Sequence, residues 1–386
     1  MRKTPLLLAA AAALALAAAA PATAASSTTW TADLASHNED NSNVSNADGT
    51  VRLAGGEAHA ATDRPDVRTG IIMFDPRQLP AKSNTVSATV DASVPGDSEL
   101  AVDVRGLRGD GQWTEWTEAT PDAPAVLPEA SATVQVRMML TAPAGSAGPT
   151  ARKLTLTAGA AMTAQAAPLA SRSYKVFATR EGLVGGTTAN GHKIASRDHF
   201  VALPSGKSLS PNGKKTYQVK VCAANGRCET APVWDVGPWN TRDDYWNEKR
   251  ENWPDLPRGL PQAQAAKENG YHDGTDQFGR PVLNPAGIDL ADGLFWDALG
   301  LTDNAWVTVD YLWTGDSPLG TVRAAEPVDL RDAPDATGRV VGLAADHAAV
   351  PLECVSGSWL GVGAGQFLPA SAVPHEQWPR RLPACR

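Results

Sequence analysis

Two acidic segments hold the side chains of this chain best suited to chemistry. Val233-Trp234-Asp235-Val236-Gly237-Pro238-Trp239 sets Asp235 before a Gly-Pro turn, and Gly287-Ile288-Asp289-Leu290-Ala291-Asp292 sets Asp289 between aliphatic neighbours. Two carboxyl groups in one cleft can break a glycosidic bond, one protonating the leaving oxygen while the other serves as base or nucleophile. Asp289 suits the acid, because Ile288, Leu290 and nearby Trp rings would raise its pKa. Asp235 or His199 would be its partner. Each also has a plain structural role open to it: Asp289 as N-cap of a following helix, Asp235 as acceptor for turn amides ahead of Gly237.

Seven of the twelve tryptophans lie between 234 and 313, and the flat apolar face of an indole matches a pyranose ring. Most of these are expected in the core, with Trp239 and Trp246 as the exposed candidates. The Asp273 to Asp276 cluster lacks the full ligand set of a calcium loop and reads as a solvated turn. No H-e-x-x-h zinc pattern, dinucleotide fingerprint or G-x-S-x-G elbow occurs, so neither metal nor cofactor is expected.

The elements that must position these residues are mainly β. Between residues 51 and 160, short apolar alternations such as Thr85 to Val90, Leu100 to Val104 and Ala132 to Arg137 are separated by Pro/Gly/Asp clusters, which predicts a β-sandwich. Trp113 and Trp116 are three apart and would point to opposite faces of a strand, one into the core and one outward. A small-residue linker spans 161–173. In the central unit, 174–316, Tyr217, Val219 and Val221 alternate up to Asn225-Gly226, the preferred centre of a two-residue type I′ hairpin turn. Leu290, Leu294 and Ala298 share one helical face ahead of Gly300, predicting a short helix over 290–299, and Val307, Val309, Tyr311 and Trp313 alternate in a last strand. The stretch from Trp239 to Gly287 is a long loop insertion, read as a wall or lid beside the cleft. Residues 319–386 hold five short strands, enough for a small barrel.

At the N-terminus, Arg2 and Lys3 precede an apolar run that ends at Pro21-Ala22-Thr23-Ala24, the pattern of a signal peptide over residues 1–24. Residues 25–50, rich in Ser, Thr, Ala and Asn, are expected to be a flexible extension. No later stretch approaches a membrane span, so the mature chain is expected to be secreted, extracellular or wall-associated. The net charge of −8, with no Lys/Arg cluster, argues against nucleic acid. Four cysteines in an exported chain read as two disulfides, and of the three pairings the most local is Cys222 with Cys228 and Cys354 with Cys385. The sequence does not give an oligomeric state.

The order Thr188-Ala189-Asn190-Gly191, Val201-Ala202-Leu203-Pro204, Asp235-Val236-Gly237-Pro238-Trp239 and Ile288-Asp289-Leu290, leading into Leu294-Phe295 and Leu299-Gly300, resembles a double-psi β-barrel of the barwin, expansin and rare-lipoprotein-A-like group. The resemblance implies a glycan groove, with Asp289 as acid in lytic members and Asp235 lining the same groove. His199 matches approximately the family's His ahead of Leu-Pro. His192 stands where lytic members carry a Glu. Asn190, His192 and Trp234 join Trp239 and Trp246 as candidate substrate-binding residues. The segment around Asp103 to Leu107 and Gly111 to Thr117 is similar to an accessory sandwich of exported actinobacterial wall enzymes. Leu330-Arg331, Val340-Val341-Gly342, Gly357-Ser358-Trp359 and Gly365-Gln366-Phe367-Leu368-Pro369 resemble a bacterial SH3-like domain. Together these resemblances imply a protein that binds peptidoglycan or a related polysaccharide. If it turns substrate over, they imply a lytic transglycosylase or glycosidase. The alternatives are a wall-binding module without turnover and a secreted protease inhibitor, the latter requiring an exposed loop near 240–286.

Overall fold

A computed structural model describes residues 27–54, 67–159, 171–315, 317–325, 328–344, 349–363 and 365–385. The signal-peptide stretch and most of the predicted linker lie outside the described residues. The protein is mainly β, with one short α-helix, Gln262–Asn269. Among the described residues no helix is long and apolar enough to cross a membrane.

The N-terminal unit is a nine-stranded antiparallel sheet. Two long strands, Arg77–Ser93 and Ala125–Pro143, run through it, and the register between them shifts twice, around Ser83. Val86, Val104, Val136, Leu154 and Leu156 face one shared core. Residues 25–50 depart from the expected extension over their described part. Thr28–Thr31 pairs along Thr150–Ala158, and Val44–Ser45 pairs with Val51–Leu53. The polar composition hid Trp30 and Val44, which pack on the sheet core.

The central unit is a closed six-stranded barrel. Around the ring run Val201–Leu203, Ala286–Leu290, Arg172–Arg180, Ala305–Tyr311, Gln218–Ala223 and Arg227–Val236, and the last returns to pair with the first. Two of the six pairings are parallel, Arg172–Arg180 with Ala286–Leu290 and Val201–Leu203 with Arg227–Val236. Val176, Val201, Val219, Val233, Ile288 and Val309 fill the interior in the period-two pattern of their strands. The hairpin turn differs from the two-residue form. It is a four-residue turn, Ala223 to Gly226, with positive φ at Gly226 alone among its residues. Asn225 is held out of the left-handed region by donating to the Leu299 carbonyl and accepting from the Arg227 amide.

The insertion after Trp239 is folded and turns two rings inward. Tyr245 and Trp246 close one end of the barrel: the Tyr245 hydroxyl lies 2.5 Å from that of Tyr311, and Trp246 stacks on the Tyr311 ring at 5.2 Å. Asp243, fully buried, organises the loop by accepting from the Arg250 guanidinium and, at 2.7 Å, from the Gln262 amide at the start of the helix.

Both flanking units are joined to the barrel through buried contacts. The strand alternation that sends Val104 and Val136 into the sheet core sends Asp103, Arg105, Gln135 and Arg137 to the other face, which is buried on the barrel rather than solvated. Arg137 binds Asp103 at 2.8 Å and the Gly206 carbonyl at 2.7 Å. Trp113 and Trp116 do not point apart as a strand would send them. They lie in a connecting loop and both rings cover the Arg105 guanidinium, at 4.6 and 4.2 Å. Trp116 is 0% exposed, belongs to the barrel core and donates to the Leu209 carbonyl. Glu115 accepts from the indoles of Trp246 and Trp313.

On the other side, the barrel sheet continues into the C-terminal unit where Arg227 and Cys228 pair with Leu343 and Ala344. Cys222 and Cys228 form a disulfide directly across the hairpin, and it packs with Leu330, Val350 and Leu360 in the C-terminal core. Cys354 and Cys385 form the second bridge, and both bridges suit an oxidising compartment.

Replacing Trp116 removes a large ring shared by two units. We expect Trp116→Ala to lower the unfolding free energy by about 3–5 kcal/mol, measured by urea denaturation followed by tryptophan fluorescence. A change within about 0.5 kcal/mol would mean that the ring does not join the units in solution.

Candidate functional site

The short strand Val201–Leu203 lies between the two acidic strands, and its register decides what they do. Ala202 pairs with Asp289 on one side and with Asp235 on the other. One strand further on, Thr179 pairs with Asp289. Laterally paired residues share a face of a sheet, so Thr179, Asp289, Ala202 and Asp235 form one row. Their neighbours Ala178, Ile288, Leu290, Val201 and Leu203 belong to the interior, which puts the row on the outer face of the barrel wall. The strand of Asp235 reaches it through an irregularity: Val201 pairs with Val233, but Ala202 pairs with Asp235. The extra residue, Trp234, shifts the alternation so that Val233 faces inward and Asp235 outward.

Both carboxylates are buried, Asp289 at 5% and Asp235 at 1% exposure. Asp235 accepts through Oδ1 from the amides of Ala189 at 2.7 Å and Val236 at 2.8 Å. Asp289 accepts from the Thr179 hydroxyl. Burial raises the Asp289 pKa to about 7, and the negative charge of Asp235 adds to the rise while the Thr179 hydrogen bond works against it. The row therefore holds a carboxyl that gains and loses its proton near neutrality beside a second acid fixed by backbone amides, the pattern that separates acid from partner in two-carboxylate sites. Asp289 lies within a strand, not at a helix start, so the N-cap role is excluded. The helical turn begins later, at Gly293, and runs only to Ala298.

The other predicted site residues fall into separate groups. His192 meets Asp198 at 2.7 Å and contacts the rings of Trp234 and Phe200. A carboxylate thus sits beside His192, supplied from further along the same loop. Trp234 stacks on Phe200 at 5.9 Å and donates to the Lys214 carbonyl. Asn190 is buried in its own turn, accepting from the Thr188 hydroxyl and donating to the Ser210 carbonyl.

His199 is not joined to the acid row. It faces Glu229 at 2.8 Å, and that hydrogen bond raises its pKa, against the effect of burial. Trp246, expected to be exposed, is 0% exposed as the barrel plug. Trp239 is half-buried, bonded to Asn284 and packed on Ala263, Ala266 and Val282 of the insertion. In place of these two, Trp296 is the exposed indole, 38% exposed, with the guanidinium groups of Arg180 and Arg197 at 4.8 and 4.7 Å from its ring. Arg180 also binds Asp292 at 2.7 Å, which links this cluster to the strand next to Asp289. Among the described residues no group of three His, Cys, Asp or Glu side chains could hold a metal ion.

Residues 172–310 match a family described as a domain of unknown function (DUF8814). The match starts in the first barrel strand and ends in the last. No curated protein matches the chain.

The raised pKa makes Asp289 a pH-dependent liability. Its carboxyl has an ordinary value of 3.8 and titrates near 7 in the fold, so between those values the native state holds a proton that the unfolded chain lacks. Its contribution to stability therefore falls as pH rises from about 4 to about 7, by on the order of 4 kcal/mol in all. The variant Asp289→Asn keeps an acceptor for Thr179 and has no proton to lose. We expect its stability relative to wild type to rise over that window, as measured by urea denaturation at pH 4.5, 6 and 7.5. Parallel curves for the two proteins would show that Asp289 does not titrate in this range.

Proposed function

We propose that this is an exported wall-associated protein whose barrel engages peptidoglycan or a related polysaccharide across the face carrying Asp289 and Asp235. The observation that carries this reading is the pairing of both acids with Ala202. It brings together, on one barrel face, the two residues that the barwin, expansin and rare-lipoprotein-A-like resemblance assigns to a glycan groove. The closed six-stranded ring with two parallel pairings is compatible with the double-psi form of that group. In this reading Asp289, protonated up to about pH 7, gives its proton to the glycosidic oxygen of the leaving sugar, while Asp235 supplies fixed negative charge beside it. The paired rings of His192 and Trp234 and the exposed Trp296 serve as sugar-facing surface in this reading.

The depth of the acid pair favours a second reading, binding without turnover, in which the row is the floor of a groove and releases nothing. The inhibitor reading stays an alternative: the 240–286 segment turns Tyr245 and Trp246 inward but exposes Phe278 and Leu283.

Incubation of the mature chain with purified peptidoglycan separates these readings. Wild type and Asp289→Asn are both expected to co-sediment with the wall. Release of soluble fragments by wild type, slowed at least about 100-fold in the variant, would identify Asp289 as the acid. Co-sedimentation of both without release would establish the binding module, and absence from the pellet would overturn the wall reading.

A further inference from the structure

A cleft of about 130 Å³ lies between the N-terminal sheet and the barrel, and its lining includes Ala189 and Val236, whose amides hold Asp235. That is about ten times the space one water needs. Its sheet wall sets Val67, Ala101 and Met139 among the charged Glu99, Asp103, Glu118 and Arg137, and its barrel wall carries Lys207, Arg242 and Glu251. The charges form a connected set. Arg242 Nη1 reaches Glu251 at 2.8 Å and Glu118 at 3.1 Å, and Lys207 meets the buried Asp244 at 2.8 Å.

This set is not saturated among the described residues. The Lys207 ammonium has three N–H donors and gives one to Asp244, and the Arg242 guanidinium engages partners through Nη1 alone. Glu251 is bonded through Oε1, which leaves Oε2 as an acceptor. Glu99 adds a further carboxylate on the sheet side. Burial pushes Glu251 up to about 7, although Lys207 and Arg242 pull it down. Spare cationic donors and spare carboxylate oxygens therefore belong to residues that line one small space.

We propose that this cleft binds a short zwitterionic peptide end, with its ammonium on Glu251 and its carboxylate on Lys207 and Arg242. A small side chain, such as a methyl group, lies against Val67, Ala101 and Met139. The two charged ends fit because cations and carboxylates line the same wall. The apolar side chains of Val67, Ala101 and Met139 give a small aliphatic group a surface to cover. This inference does not rest on the glycan reading of the acid row. The same chemistry occurs in a free dipeptide and in a peptide arm carried on a wall polymer.

Isothermal titration of the full mature chain with Ala-Ala, and with Ala-Ala capped at both ends, tests the proposal. Ala-Ala is expected to bind, and the capped peptide to bind at least about tenfold more weakly. Glu251→Gln removes the acceptor charge and Ala101→Leu fills the cleft without touching a charge. Each is expected to weaken Ala-Ala at least about tenfold while melting as a folded protein. Equal binding of the capped peptide, equal binding by both folded variants, or no heat with wild type would overturn the site. Where Ala-Ala binds, displacement of it by soluble peptides released from peptidoglycan identifies the wall peptide as the source, and no displacement identifies a free peptide.

Discussion

The barrel depends on three residues. Among the described residues Val201–Leu203 is the only strand that joins Ala286–Leu290 to Arg227–Val236, and without it each of those strands would leave a row of backbone donors and acceptors unpaired. The same hydrogen bonds that close the ring fix Asp289 and Asp235 on either side of Ala202. A methyl side chain between two buried acids gives neither of them a partner. Burial is the main cause of the raised Asp289 pKa, and barrel closure places the Asp235 charge that adds to it, so the fold and its candidate chemistry share one set of bonds.

Charge burial recurs in the molecule and is compensated at several places. A buried ion pair is costly unless its remaining hydrogen bonds are made. Arg137 meets this by binding Asp103 and the carbonyl of Gly206, and Asp243 by accepting from Arg250 and a helix-start amide. Arg105 has instead two indole faces and the Gln135 carbonyl oxygen, at 2.6 Å from Nη2. The acid row is the exception, since Asp289 has a neutral hydroxyl and a like charge rather than a cation. Such a departure from the pattern around it is what a functional site looks like physically.

Much of the architecture was legible from local pattern. Period-two runs gave the strands of both outer units and of the barrel, and the shortest cysteine separations gave both disulfides. The failures came where tertiary contacts overrode local signals. Polar alternation in Ala132 to Arg137 looks the same whether the polar face meets water or another unit, so the buried face was hidden. Trp113 and Trp116 were read as strand residues, but they belong to a loop wrapped on Arg105. Trp246 carries no sequence mark that distinguishes a plug from a sugar platform. Asp289 and Asp235 were picked out by type and motif order, yet the row that unites them runs through Ala202 and Thr179, residues with no chemical signature of their own. Trp296 and the inter-unit cleft left no signal in a linear reading, because their partners come from distant parts of the chain.

The matched family span, 172–310, and the span that is physically self-contained are not the same. Cutting at those limits would strip away Trp116 and Glu115 from one side, baring the indoles of Trp246 and Trp313. It would also expose the hairpin disulfide that the C-terminal core covers on the other. What recurs as a unit of inheritance is here an incomplete unit of solubility. A chain carrying this barrel with other neighbours must bring its own substitute for each of those two covers.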